Sequence, residues 1–149
     1  MIFALSNEKD RQDYKRYVND LYLWGCEKGG VVEVKKRHRP RSLPQNNYLH
    51  LCIALFASEY GITCEEAKHD FFKKRYNPEI FIRERKNRRG ETVKYIRSSS
   101  DLDTEEMTRA IESFRNKVSQ EFSLYIPSPQ DHDAIIEAEK QIARYAEFL

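Results

Sequence analysis

Apolar residues along this chain recur mostly at every third or fourth position, the spacing of a helix with one buried side. Tyr14, Tyr17, Val18, Leu21 and Trp24 form the first such stripe, with Asn7 ahead of it as a cap and Gly29-Gly30 behind it as a stop. The short apolar runs IFAL before this helix and VVEV after it read as strands. Ser42 and Gln45 have capping-box spacing at the start of a second helix, the serine accepting from a first-turn N–H and the glutamine reaching back. Pro44 falls inside that first turn, where its missing donor costs nothing. This helix runs through LCIALFA to Tyr60, and Gly61 supplies a left-handed stop.

Thr63 and Glu66 repeat the capping-box spacing and open the helix CEEAKHDFFKKR. IFIRER and ETVKYIR then flank NRRG, the signature of a hairpin with Gly90 in its turn. Asp103 or Thr104 begins the next helix, with Met107, Ile111, Phe114 and Val118 along one stripe. YIPSP breaks it, and Ser128-Pro129 starts the last helix, whose stripe is Ile135, Ala138, Ile142, Tyr145 and Leu149. The expected fold is α+β in a single domain, 1–149: about five helices, a basic β-hairpin and one or two further strands. The last helix, 128–149, either packs on the domain or pairs across a dimer.

Charge changes this picture more than composition does. The chain as a whole carries only +2, yet residues 35–97 hold sixteen Lys/Arg against seven Asp/Glu, and residues 98–149 hold five against eleven. A basic middle beside an acidic end points to a surface that faces a polyanion. Three cysteines without C-x-x-C spacing fit a reducing compartment. The longest apolar run, 51–57, is far short of the ~20 residues that cross a bilayer. MIFAL is too short for a signal-peptide core, so the expected location is the cytoplasm, away from any membrane.

The basic residues fall into two groups. Lys35, Lys36, Arg37, Arg39 and Arg41 lead into a helix N-terminus, whose free N–H groups and positive dipole end suit phosphate. Arg83, Arg85, Lys86, Arg88, Arg89, Lys94 and Arg97 lie on the hairpin, where residues 83, 85 and 97 share one face and Ile80 and Ile82 take the other. Each group also has a plainer reading, a solvated loop and a charge-protected edge. Ser42, Gln45, Asn46 and Tyr48 offer hydroxyl, amide and ring contacts to a nucleotide, and Tyr95 offers a second ring. Gln45 and Asn46 equally serve as local caps. Ser98, Ser99 and Ser100 read as phosphate contacts or as cap residues. Glu65, Glu66, His69 and Asp70 crowd one and a half helical turns, at spacings that suit a divalent metal in a nuclease or simply a helix start.

The segments R-S-L-P-Q-N-N-Y-L-H (41–50), I-R-S-S-S-D-L (96–102) with Glu106-Met107, and Y-I-P-S-P (125–129) resemble, in that order, the NinB family of phage recombination proteins, also called Orf. The similarity spans roughly residues 33–130, and its motif positions here are Arg41, Ser42, Gln45, Asn46 and Ser98 to Ser100. The resemblance implies a mixed α/β homodimer that binds single-stranded DNA, engages single-strand-binding protein and helps a recombinase load. It implies no enzymatic activity and no cofactor. The triplet is all serine where the family commonly has a central threonine. Two alternatives stand beside this expectation: a metal-dependent structure-specific nuclease, and a protein-interaction module whose basic patch grips an acidic partner tail.

Overall fold

A computed structural model describes residues 1–36 and 44–149. Helix α1 spans Glu8–Lys28, α2 Gln45–Tyr60, and α3 Cys64–Glu66 continuing as a π-helix over Ala67–Arg75. A single turn, α4 (Pro78–Phe81), leads into the antiparallel pair β1 (Ile82–Lys86) and β2 (Thr92–Ile96). Helix α5 (Thr104–Phe122) and helix α6 (His132–Arg144) complete an α+β fold.

The apolar run 51–57 lies at the centre. Because α2 is apolar almost all round, it buries Leu49, Leu51, Cys52, Ile53, Leu55, Phe56 and Ala57 against α3, the π-helix, α5 and α6. The α5 stripe Met107, Ile111, Phe114 and Val118 is buried as its spacing predicts. Phe114 meets Phe56 edge-on at 5.6 Å and Phe72 at 5.5 Å, and Phe72 meets Phe81 at 5.4 Å. Burial pushes the Cys52 thiol up to about 12 and the Tyr48 hydroxyl well above its ordinary range, so both stay neutral. No helix among the described residues is long and apolar enough to cross a membrane.

The π-helix follows from spacing. The buried residues Ala67 and Phe72, and the pair Phe71 and Tyr76, are each five positions apart, the interval that i→i+5 bonding aligns. Its start is fixed by Thr63 and Glu66, whose side chains cap one another as expected.

Several expected elements differ. Neither IFAL nor VVEV forms a strand; the hairpin is the only sheet among the described residues. Phe3 instead folds onto Tyr14 and Tyr17 at 5.6 and 5.5 Å, and the Ala4 N–H donates to Asp10, which an apolar side chain could not accept. Trp24 leaves its expected stripe and covers Gly30, where a Cβ would sit 2.2 Å from the indole. Helix α6 starts at His132 rather than at Ser128-Pro129, because the Asp131 side chain takes the Ala134 N–H. It packs on α2 through Ile135 and Ala138, whereas Tyr145 lies past its end and is exposed.

Candidate nucleic-acid interface

The two strands form an arm that stands clear of the body: residues 83–95 are exposed on both faces. A two-stranded ribbon of this kind is marginal alone, so its root must hold it. Phe81, fully buried, plants the first strand, and Ile96, the strand partner of Ile82, packs against the core. The Arg97 N–H donates to the Phe81 carbonyl at 2.8 Å, and Lys73 Nζ donates to the Arg97 carbonyl at 2.9 Å. Burial, then the nearby Lys68 charge, pulls the Lys73 ammonium below its ordinary value.

At the far end, Asn87 shapes the tip. Its Oδ1 accepts from the backbone N–H groups of Arg89 and Glu91, and Gly90 takes the left-handed φ of 80° that closes the turn. Arg88 and Arg89 are thereby carried at the extremity. Strand register sorts the remaining side chains: Arg83 faces Tyr95 and Arg85 faces Val93 on one side, while Glu84 faces Lys94 and Lys86 faces Thr92 on the other. The Arg85 guanidinium sits 5.6 Å from the Tyr95 ring centre.

Among the described residues, Arg83, Arg85, Lys86, Arg88, Arg89 and Lys94 form no ion pair with a carboxylate. Arg97 is the exception and corrects the expectation of a phosphate contact. Its guanidinium donates to the Ile80 and Asp101 carbonyls and pairs with Glu106 at 3.3 Å, leaving the side chain 17% exposed. Ile80 likewise belongs to α4 and not to the strand.

Gln45 reaches the first turn of α5. Its Nε2 donates to the Thr104 carbonyl at 3.1 Å and to Thr108 Oγ1 at 2.9 Å, so it ties α2 to α5; Ser42, its expected capping partner, lies outside the described residues. Pro44, expected inside the helix, is its N-cap and has no side chain to accept with. The first turn of α2 contains no acidic residue, and Asn46 and Asn47 are exposed there. That end keeps the positive dipole character that suits an anion. The first turn of α5 is the reverse, with Asp103, Glu105 and Glu106 already in place.

Ser98 to Ser100 lie beside those carboxylates. Ser98 caps a short turn through the Ser100 N–H, and its hydroxyl bonds the Ser100 hydroxyl at 2.8 Å, so the triplet does local capping work. Tyr48 is also corrected. It is 4% exposed, and its hydroxyl donates to the Pro127 carbonyl at 2.6 Å, which leaves no ring face for a base. Lys35 and Lys36 are exposed, Lys35 being paired with Glu33 at 3.1 Å. Arg37, Arg39, Arg41 and Ser42 lie outside the described residues.

The acidic cluster does not assemble. Glu66 is spent on the Thr63 cap, and the His69 ring pairs with Asp70 at 3.1 Å, which with Lys74 holds Asp70 below the usual carboxylate range. The wider π-spiral also removes the i,i+4 alignment expected for an α-helix. Among the described residues no three His, Cys, Asp or Glu side chains converge for a metal. Residue-by-residue reasoning missed Phe81 and Asn87, the root and tip of the arm; only the N-x-x-G turn spacing signals the second.

Comparison with protein-family models, curated proteins and solved structures finds no match to this chain.

Proposed function

We propose that this chain binds single-stranded DNA through its basic arm and acts, as a cytoplasmic homodimer, in phage or mobile-element recombination, assisting a recombinase and meeting single-strand-binding protein. The observation that carries DNA binding is the set of six cations without a carboxylate partner on a ribbon exposed over residues 83–95. Charge on an edge strand resists pairing, but two of these six cations sit at the tip, where no strand edge needs protecting. Backbone phosphates spaced along a strand match such a row, and each neutralised phosphate releases counterions. Tyr95, 40% exposed between arginines, supplies a surface on which an unpaired base can stack, which favours a single strand over a closed duplex. The recombination role rests on the ordered motif resemblance.

The test is a chain in which Arg83, Arg85, Lys86, Arg88, Arg89 and Lys94 are all changed to Gln. It should fold as before and lose binding to a labelled single-stranded oligonucleotide by at least about a hundredfold at low salt, since each phosphate contact removed lowers the electrostatic part of the affinity. Undiminished binding would transfer the function elsewhere on the molecule. If the arm instead bound only an acidic peptide and no DNA, it would belong to a protein-interaction module. Cleavage of the oligonucleotide in Mg²⁺ or Mn²⁺, abolished by Glu66→Ala, would establish the nuclease.

A further inference from the structure

Away from the arm, α2 and α5 end side by side at a cleft of ≈ 360 Å³ lined by Phe56, Glu59, Tyr60, Phe122, Ser123 and Leu124. Its walls are aromatic. Tyr60 and Phe122 meet nearly at right angles, 80° with ring centres 5.3 Å apart, and Phe56 stacks under Tyr60 at 5.5 Å. Unlike the rest of the aromatic cluster, Tyr60 and Phe122 keep 47% and 37% of their surface exposed. The electrostatics of the cleft all have one sign. Two helix C-termini converge on it, and neither carries a cation in its last turn, although cations are the favoured residues there. Glu59 is held by the Gln141 amide, which orients the carboxylate without neutralising it, and no cation pairs with Glu59 among the described residues.

Ring faces, a carboxylate and helix C-termini are together the chemistry that receives a cation. The neighbouring surface already does so once: the Arg75 guanidinium lies 5.6 Å from the ring centres of both Phe71 and Tyr76 and pairs with Glu121 at 2.8 Å. Phe71 in turn packs on Tyr60 at 5.1 Å, so the occupied seat and the open one are adjacent. We infer that the Tyr60–Phe122 cleft is a docking site for an arginine side chain presented by a basic segment of a partner protein. The guanidinium would lie on one of the two rings, with its N–H groups toward Glu59 and the last carbonyls of α2 and α5. A planar five-donor group satisfies stacking and several acceptors at once, which an ammonium does not. This site is separate from the arm and faces the opposite charge, so DNA and a basic partner segment need not compete.

The test is amide and side-chain NMR of the full chain, titrated into the millimolar range with Ac-Gly-Arg-Gly-amide and with its citrulline counterpart, a near-isostere without the charge. The arginine peptide should shift Tyr60, Phe122 and Ser123 and bind about tenfold tighter than the citrulline peptide, as one desolvated cation–π and carboxylate contact implies. Glu59→Gln and, independently, Phe122→Leu should each reduce that preference. Equal binding of both peptides, or shifts located elsewhere, would overturn the inference. If the cleft resonances instead move with protein concentration alone, in wild type but not in an Arg88→Gln/Arg89→Gln chain, the occupant is the arm of a second copy and the assignment of a separate partner is wrong.

Discussion

Arg97 and Glu106 lie 3.3 Å apart at the root of the hairpin, and the pair divides its cations into one that builds the arm and six that the arm presents. Arg97→Gln should therefore cost roughly 1–3 kcal/mol of stability, through the loss of bonds to Ile80, Asp101 and Glu106. It should leave the salt dependence of DNA binding unchanged. Arg88→Gln with Arg89→Gln should do the reverse: stability within about 0.5 kcal/mol of wild type, and a log–log salt slope shallower by about 1.4. Urea melts and binding isotherms on both chains separate the two roles.

Of the two tyrosines that sequence alone offers as stacking rings, Tyr48 is buried and Tyr95 is exposed. Tyr95→Ala should weaken single-strand binding by about tenfold, the loss of one stacked base, and leave duplex binding nearly unaffected. Tyr48→Phe should leave DNA affinity as it is and lower stability by about 1–2 kcal/mol, since it strands the Pro127 carbonyl in a buried place. A Tyr48→Phe chain with normal stability and impaired binding would reverse this assignment.

Asn87 holds the tip of the arm through two backbone N–H groups, so Asn87→Ala should loosen the turn without unfolding the body. Hydrogen exchange at the Glu91 amide should quicken by about fivefold or more, the equivalent of one lost bond of about 1 kcal/mol, while α2 amides stay protected.

The seat of α1 should depend on pH in a defined window. The hydrogen bond from Lys140, with that from the Ala4 N–H, holds Asp10 below its ordinary 3.8. Burial pulls Lys140 down, but bonds to Asp10 and Glu137 outweigh it and leave it above 10.5. Asp10 therefore stabilises the fold fully above pH 3.8, and its contribution is lost as pH falls through the lower folded value. Lys140 contributes fully below pH 10.5, and its share is lost as pH rises through the higher folded value. In acid, α1 amides should lose exchange protection before those of α2. Lys140→Met should cost about 2–3 kcal/mol because it leaves Asp10 buried without a counter-charge; Asp10→Asn should cost about 1 kcal/mol, since Lys140 keeps Glu137.

Local rules made several elements legible: the apolar run and Gly61 stop of α2, the α5 stripe, the Thr63–Glu66 box and the N-x-x-G hairpin. What sequence could not supply was tertiary demand. IFAL has strand composition but pairs with no strand among the described residues, and Phe3 meets the Tyr14 and Tyr17 rings instead. Gln45 has cap spacing, but nothing local signals that its amide N–H groups reach Thr104 and Thr108, distant in sequence. At the candidate site, a cation count treats Arg97 and Arg88 alike; only the placement of Glu106 tells them apart.

The central claim is that the arm binds a phosphate backbone, and the most direct measurement is fluorescence anisotropy of a labelled single-stranded oligonucleotide across a salt series, with a duplex control. With about five phosphates engaged, the slope of log affinity against log salt should be about −3.5, a fall of roughly a hundredfold between about 50 and 200 mM, with the single strand preferred throughout. A flat response, or no binding at low salt, would contradict the account.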